Sequence, residues 1–222
     1  MNEIKGLVIN TIDYKEKSQI VYLYTPYGHD SVKANRSKDV KSGLLGFTNS
    51  LNYVSYVKTN SKFSTVTEYH VINTYYELTE SVDKIEIIFK ILSVIKEIPQ
   101  DANHIKIFDF IISILDELKI SNNPKKVLSI FLIKMLWVFG INPNLKTCNV
   151  CGNTNNLVTF LIKDAVALCD KCSTSNQKYK IWNEYYFEKK DIEKYTDIDF
   201  DELLNDIYLY YQYHSHINLK KY

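Results

Sequence analysis

Four cysteines constrain this chain more than any other feature. They stand as Cys148-x-x-Cys151 and Cys169-x-x-Cys172, with seventeen residues between the pairs. Two such knuckles can bring four thiolates together tetrahedrally around one zinc ion. Each carries turn chemistry: Asn149-Val150 and Gly152 at the first, Asp170-Lys171 at the second. Between them, residues 157–161 and 165–168 read as the two strands of a ribbon turned at Lys163-Asp164. Disulfides, buried free thiols and a redox pair are the alternatives. The opening MNEIKGLVIN has no basic segment leading into an apolar run and a cleavage site, so the expectation is a cytosolic protein, where structural disulfides are rare. No strand–helix–strand pattern surrounds either pair, which argues against redox chemistry. An all-cysteine site leaves no open coordination position, so the zinc is expected to be structural.

The residues before this motif change period once. Residues 4–12, 19–25, 30–34, 47–58 and 63–72 are rich in β-branched and aromatic residues and read as strands. Pro26-Tyr27-Gly28 reverses the chain between the second and third, and Asn60-Ser61-Lys62 joins the last pair. Five short antiparallel strands suit a small barrel, with a Greek-key OB-fold leading and an SH3-like barrel giving a similar string. From about Glu80 the apolar spacing becomes helical. Val82, Ile85, Ile88, Leu92 and Ile95 share one helix face, ending before Pro99. Ile105, Phe108, Ile111, Ile112, Leu115 and Leu118 define a second helix. Asn123-Pro124 opens a third, which carries Val127, Leu128, Phe131, Leu132, Met135, Leu136 and Phe139 and stops at Gly140. Helical spacing returns over 183–194 and 199–217, where Leu203, Leu204, Ile207, Leu209 and Tyr210 form the expected buried set. The fold class is therefore α+β. Residues 1–75 form an OB-fold barrel, 76–147 a helical bundle, 148–180 the inserted zinc ribbon, and 181–222 C-terminal helices packing on the bundle. No run of apolar residues is long enough for a membrane span.

Charge is uneven along the chain. The net charge of +1 divides into +3 over residues 1–72, zero over 73–147, +2 over 148–180 and −4 over 181–222. A basic front end and an acidic tail are the asymmetry expected when one end meets a polyanion. Lys33, Arg36, Lys38, Lys41, Lys58 and Lys62 lie within one stretch whose only acidic residue is Asp39. Asn35, Ser37 and Ser42 between them can reach phosphate oxygens. Tyr22, Tyr24, Tyr53, Tyr56 and Phe47 on neighbouring strands offer ring faces for bases. Tyrosine is abundant (18) and Arg36 is the only arginine, a bias typical of AT-rich coding, so abundance alone is not read as function. His214-x-His216 falls at a helix end, a poor place for a metal pair. No phosphate loop, GxSxG or HExxH occurs, so no enzyme is expected.

These segments, in this order, resemble the RecO family of recombination-repair proteins. The residues that carry the resemblance are Gly6-Leu7-Val8-Ile9, Asp13-Tyr14, Ser18-Gln19-Ile20-Val21 and Leu23-Tyr24-Thr25-Pro26-Tyr27-Gly28 at the start. Lys33-Ala34-Asn35-Arg36, Lys41-Ser42 and Leu45 are similar to the family's basic loop after the third strand. Phe139-Gly140-Ile141-Asn142-Pro143-Asn144-Leu145 running into Cys148-Asn149-Val150-Cys151-Gly152 is similar to its helix end and first knuckle, and His216-Ile217 with Leu219-Lys220 to its terminal helix.

The resemblance implies a protein that binds single- and double-stranded DNA and anneals complementary strands. It further implies work with RecR, contact with the acidic C-terminal tail of single-strand-binding protein, and help in loading RecA. Such a protein acts in the cytoplasm, on the nucleoid. The arginine-poor loop with Asp39 inside it implies a modest, strongly salt-dependent DNA affinity, and the acidic tail leaves the partner surface on the helices open. A zinc-stapled adaptor without a DNA role and a nucleic-acid-modifying enzyme are the rival readings. Weak DNA binding beside firm partner binding would mark the first; an acid/base constellation in the helices would mark the second.

Overall fold

The computed structural model describes residues 3–173, 178–187 and 198–219. The chain divides into two compact units, Met1–Asn122 and Asn123–Tyr222. In the first, strands β1 (Ile4–Tyr14), β2 (Ser18–Thr25), β3 (Gly28–Ala34), β4 (Tyr53–Lys58) and β5 (Val66–Asn73) form one sheet in the order β3-β2-β1-β4-β5. All four ladders are antiparallel. The two edge strands meet at one point, where Lys33 bridges Thr65 in parallel sense and the Lys33 N–H donates to the Ser64 carbonyl at 2.9 Å. The sheet is thus curled but not closed, as in a partly open five-stranded OB barrel.

Alternation along the strands sends one set of side chains inward. Val8, Val21, Leu23, Val32, Ala34, Val54, Tyr56 and Val66 form the barrel core. Phe47 joins them from a short helix, α1 (Leu45–Thr48), in a segment expected to be strand from residue 47. Strand begins only at Tyr53, because Thr11 Oγ1 donates to the Thr48 carbonyl at 2.7 Å and Leu51 turns the chain through a left-handed conformation (φ 69°). In β1 the register slips between Val8 and Asn10, which is why Leu7, Val8 and Ile9 are buried consecutively.

Helices α2 (Val82–Lys96) and α3 (His104–Ile120) complete the first unit. Val82 and Ile105, expected on the buried faces, are exposed at their helix starts. Ile87, Ile91 and Val94 on α2 and Ile107 and Ile114 on α3 are buried instead, beside the Ile88, Leu92, Ile95, Phe108, Ile111, Leu115 and Leu118 already expected. The α3 N-terminus covers part of the barrel's outer surface. Phe108 meets the rings of Tyr24 and Tyr53 at 6.3 and 5.7 Å, and His104 Nδ1 lies 2.9 Å from the Tyr24 hydroxyl. His104 Nε2 faces the Gln100 carbonyl at 2.9 Å, so in the neutral ring Nε2 donates and Nδ1 accepts the Tyr24 proton. Further along, Tyr75 donates to Asp116 at 2.7 Å.

The second unit joins α4 (Pro124–Val138), a sheet of β6 (Asn144–Cys148), β7 (Leu157–Leu161) and β8 (Val166–Cys169), then α5 (Tyr179–Phe187) and α6 (Phe200–His214). Asn123 caps α4 through the Lys126 N–H, and Gly140 beyond its end takes the positive φ (68°) expected of a helix stop. Asp199 caps α6 by accepting from Asp201 and Glu202. Of the helix expected over 183–194, residues 188–194 lie outside the described residues. The core is unusually aromatic: Trp182 packs on Phe160 and Tyr210 at 4.7 and 5.2 Å. Buried tyrosines there send their hydroxyls to fixed acceptors. Tyr211 donates to the Leu132 carbonyl, Tyr210 to the Ile141 carbonyl and Tyr186 to Asn142 Oδ1, at 2.7–2.9 Å. Such partners offset the cost of burying these hydroxyls.

Candidate metal centre and nucleic-acid interface

The ribbon that carries the cysteines has β8 at its centre, antiparallel to β7 and parallel to β6. Cys148 ends β6 and Cys169 ends β8, so the sheet itself sets the two knuckles side by side. Each knuckle closes on its own backbone. The Gly152 N–H donates to the Cys148 carbonyl at 2.9 Å with Gly152 at φ 72°, and the Cys172 N–H donates to the Cys169 carbonyl at 3.1 Å. The four Sγ atoms lie within 4.8 Å of one another, with Cys151 and Cys169 at 3.6 Å. Zinc–sulfur bonds of about 2.3 Å in a tetrahedron need sulfurs roughly 3.8 Å apart, so the cage has the size of such an ion. Backbone N–H groups of Cys169, Cys151 and Val150 pull the Cys148 thiol down to about 6. Cys172, hydrogen-bonded to the neighbouring thiols, is pushed up to about 12. Four thiols this close cannot all ionise without a cation among them, and the donor set fits a thiophilic divalent metal. Cys148 and Cys169 are buried, Cys172 is half-buried and Cys151 is exposed. His214 Nε2 is engaged with the Ile162 carbonyl at 2.8 Å.

The predicted basic residues are distributed differently. Cross-strand partners point to the same side of a sheet, and the register places Ile12 opposite Ile20, Tyr14 opposite Ser18, Tyr22 opposite Ser31, and Lys33 opposite Ile20. These side chains form the outer surface of β1, β2 and β3, where Ile12, Tyr14 and Tyr22 are exposed. The Lys33 ammonium lies over the Tyr14 ring at 5.8 Å, and Lys15 lies over it at 5.6 Å. Beside this strip, the turn after β3 is tied to the β1–β2 hairpin. The Arg36 N–H donates to Ser18 Oγ, the Lys38 N–H to the Lys17 carbonyl, and buried Ser37 donates to Gln19 at 2.9 Å. Arg36, Lys38 and Lys41 are therefore gathered with Lys15 and Lys17 at one end of the strip. The Ser64 contact with Lys33 brings the β4–β5 loop, with exposed Lys62 and Phe63, to its other side.

Three expectations are corrected here. Tyr24 shares the outer surface with Tyr22 but is fully buried, because α3 covers that end of β2 through Phe108 and His104. It has no free face for a base. Tyr56 and Phe47 point into the barrel core and offer none either, while Tyr53 is half-buried against Phe108. Lys58 is held by both carboxylate oxygens of Asp30 at 2.6 Å, and Asp30 also accepts from the Tyr56 hydroxyl. Its charge is thus bound into the barrel's own packing. Conversely, the sequence reading did not single out Tyr14, Lys15, Lys17 or Phe63 for this surface, where the structure leaves them exposed. Their signal was position alone, at the end of β1 and in the β1–β2 and β4–β5 loops, the loops that contact ligands in OB barrels.

Comparison with known proteins places the chain in a family. Two family models match the chain: Recombination protein O N terminal over residues 1–75 and Recombination protein O C terminal over residues 89–184. The DNA repair protein RecO of Halalkalibacterium halodurans is 27% identical over 184 residues, covering 81% of this chain and 72% of that protein. Those of Bacillus mycoides and Bacillus cereus are 24% and 25% identical over 172 and 182 residues, covering 76% and 81% of this chain and 69% and 73% of theirs. With an N-terminal OB-like barrel, a helical second part and a four-cysteine cluster in the matched regions, the chain belongs to the RecO family.

Proposed function

We propose that this chain is a DNA repair protein of the recombination-mediator kind, which pairs strands without covalent chemistry. The observation that carries the reading is the uncovered half of the barrel surface. There Tyr14, Tyr22 and Ile12 are exposed beside Lys15, Lys17, Lys33, Arg36, Lys38 and Lys41. Cations of this kind neutralise phosphates and release counterions, while exposed rings stack on unpaired bases. Binding single- and double-stranded DNA through this face would lower the repulsion between complementary strands and speed their annealing. The family likeness supports work with RecR, contact with the tail of single-strand-binding protein, and loading of RecA on the coated strand, in the cytoplasm at the nucleoid.

The four cysteines would hold one structural zinc ion. Cys148, Cys151, Cys169 and Cys172 fill all of its coordination positions, and the ion would supply the charge that lets four thiolates lie together. Folding of the ribbon is then coupled to metal binding.

The test is annealing of two complementary oligonucleotides by the purified protein, without nucleotide, across a salt series. Acceleration that fades steeply with salt is expected. The Lys33→Glu, Arg36→Glu variant is expected to lose annealing by at least about tenfold with zinc content unchanged, since each lost phosphate contact removes about one unit of salt slope. Annealing that survives this double change would place the site elsewhere. Absence of DNA binding even at low salt, with firm binding to RecR, would favour a pure adaptor.

A further inference from the structure

Two of the cations counted with the proposed strand-binding surface are engaged by nearby carboxylates at the end of the β1–β2 hairpin. Lys38 Nζ lies 2.6 Å from Asp13 Oδ2, and Arg36 Nη2 lies 3.0 Å from Asp39 Oδ2. Asp13 stands at the end of β1 beside Tyr14, and Asp39 follows Lys38 in the turn after β3. Asp13 alternates with Ile12 and Tyr14 and points to the other side of β1, so both pairs lie at the end of the strip rather than within it. Both carboxyls are held below their usual range, Asp13 by the Lys38 ammonium and Asp39 by the Lys41 N–H and the Arg36 guanidinium. Exposed ion pairs contribute little to stability and open readily. A carboxylate that costs little to displace nevertheless competes with every phosphate for the cation it holds.

Resting on the DNA-binding reading above, we infer that Asp13 and Asp39 are built-in counter-ions of this face, each holding one cation in the free protein until a strand phosphate displaces it. The consequence is a face that engages strands weakly and lets them go quickly. That property suits a protein that must surrender a strand once it has been paired. It also assigns Asp13 a role in tuning affinity that its position in a β-hairpin does not otherwise suggest.

The test uses the full chain carrying Asp13→Asn and Asp39→Asn. Asparagine keeps the side-chain length and can still accept the Lys41 N–H that Asp39 accepts at 3.1 Å. Anisotropy of a fluorescent oligothymidine is measured through a salt series beside the parent protein. The double variant is expected to bind about tenfold more tightly at low salt, with a salt slope steeper by about one to two units, because freed carboxylates no longer take up cations. Its strand release in stopped flow should slow in proportion. The single variants, each giving part of the gain, serve if the pair of changes impairs folding. Equal affinity and slope in parent and variants, with the parent binding DNA, would overturn the inference alone. No binding by either protein at low salt would overturn the inference together with the DNA reading.

Discussion

The cysteine ribbon and the open barrel face are both candidate sites, yet they are built in opposite ways. In the ribbon, four donors come from two knuckles, each spanning four residues, and the backbone bonds that shape each knuckle are local. In the barrel face, Tyr14, Tyr22, Lys33 and Phe63 come from separate strands and loops and are brought together only by sheet register and one bridge between Lys33 and Thr65. The ribbon brings together four thiols that could hold an ion, whereas the barrel face is held by a core of its own. The lesson is that short-range spacing specifies a donor set, while long-range pairing specifies a surface.

The largest expected effect lies on the ribbon side. Stripping the proposed zinc with a chelator, or changing Cys151→Ser with Cys172→Ser, should abolish the ribbon's fold, since binding energies of order 10 kcal/mol are folding energy in such sites. Circular dichroism and the melting curve read the loss; an unchanged melt would remove the structural role. Acid should act in the same direction. Protons compete for the thiolates, so metal content is expected to be full near neutrality and to fall as the pH drops.

On the barrel side, two tyrosines two residues apart sharpen the contrast. Tyr24→Ala is expected to destabilise the protein by about 3–5 kcal/mol, as for other large buried rings, in a denaturant melt. The salt dependence of DNA binding should stay the same. A loss of strand binding without loss of stability would restore Tyr24 to the interface. For Tyr14→Ala, Tyr22→Ala and Phe63→Ala the order reverses. Each should leave the melt nearly unchanged and weaken single-strand binding by up to about 1–3 kcal/mol. Wild-type affinity in all three would show that the exposed rings do not meet bases. The smallest effect is expected from Tyr24→Phe, which removes only the hydrogen bond to His104 and should cost about 1 kcal/mol of stability.

Much of this was legible in the primary structure, and the legible parts share a cause. The knuckle spacing, the Asn123-Pro124 start and Gly140 stop of α4, and most of the buried stripe of α6 depend on residues within a few positions of one another, although on α6 Tyr211 is buried where Leu209 was expected. The strand at 47–58 was misread at its start because Phe47 has strand-like chemistry, yet its ring is wanted in the barrel core from a short helix. The expected aromatic and basic residues differ in exposure and pairing for a related reason. Tyr22 and Tyr24 are equivalent in sequence pattern, and Lys58 is chemically equivalent to Lys62.

The sequence by itself determined the α+β class, the five strands, the limits of α4 and the clustering of four cysteines, because turn chemistry, periodicity and cysteine spacing act over short distances. Only the tertiary structure decided which aromatic rings face solvent, since that depends on where α3 lies across β2, and which lysines are available, since that depends on carboxylates such as Asp30 that folding brings within 3 Å. Exposure and charge pairing are properties of the assembled surface, and no local pattern carries them.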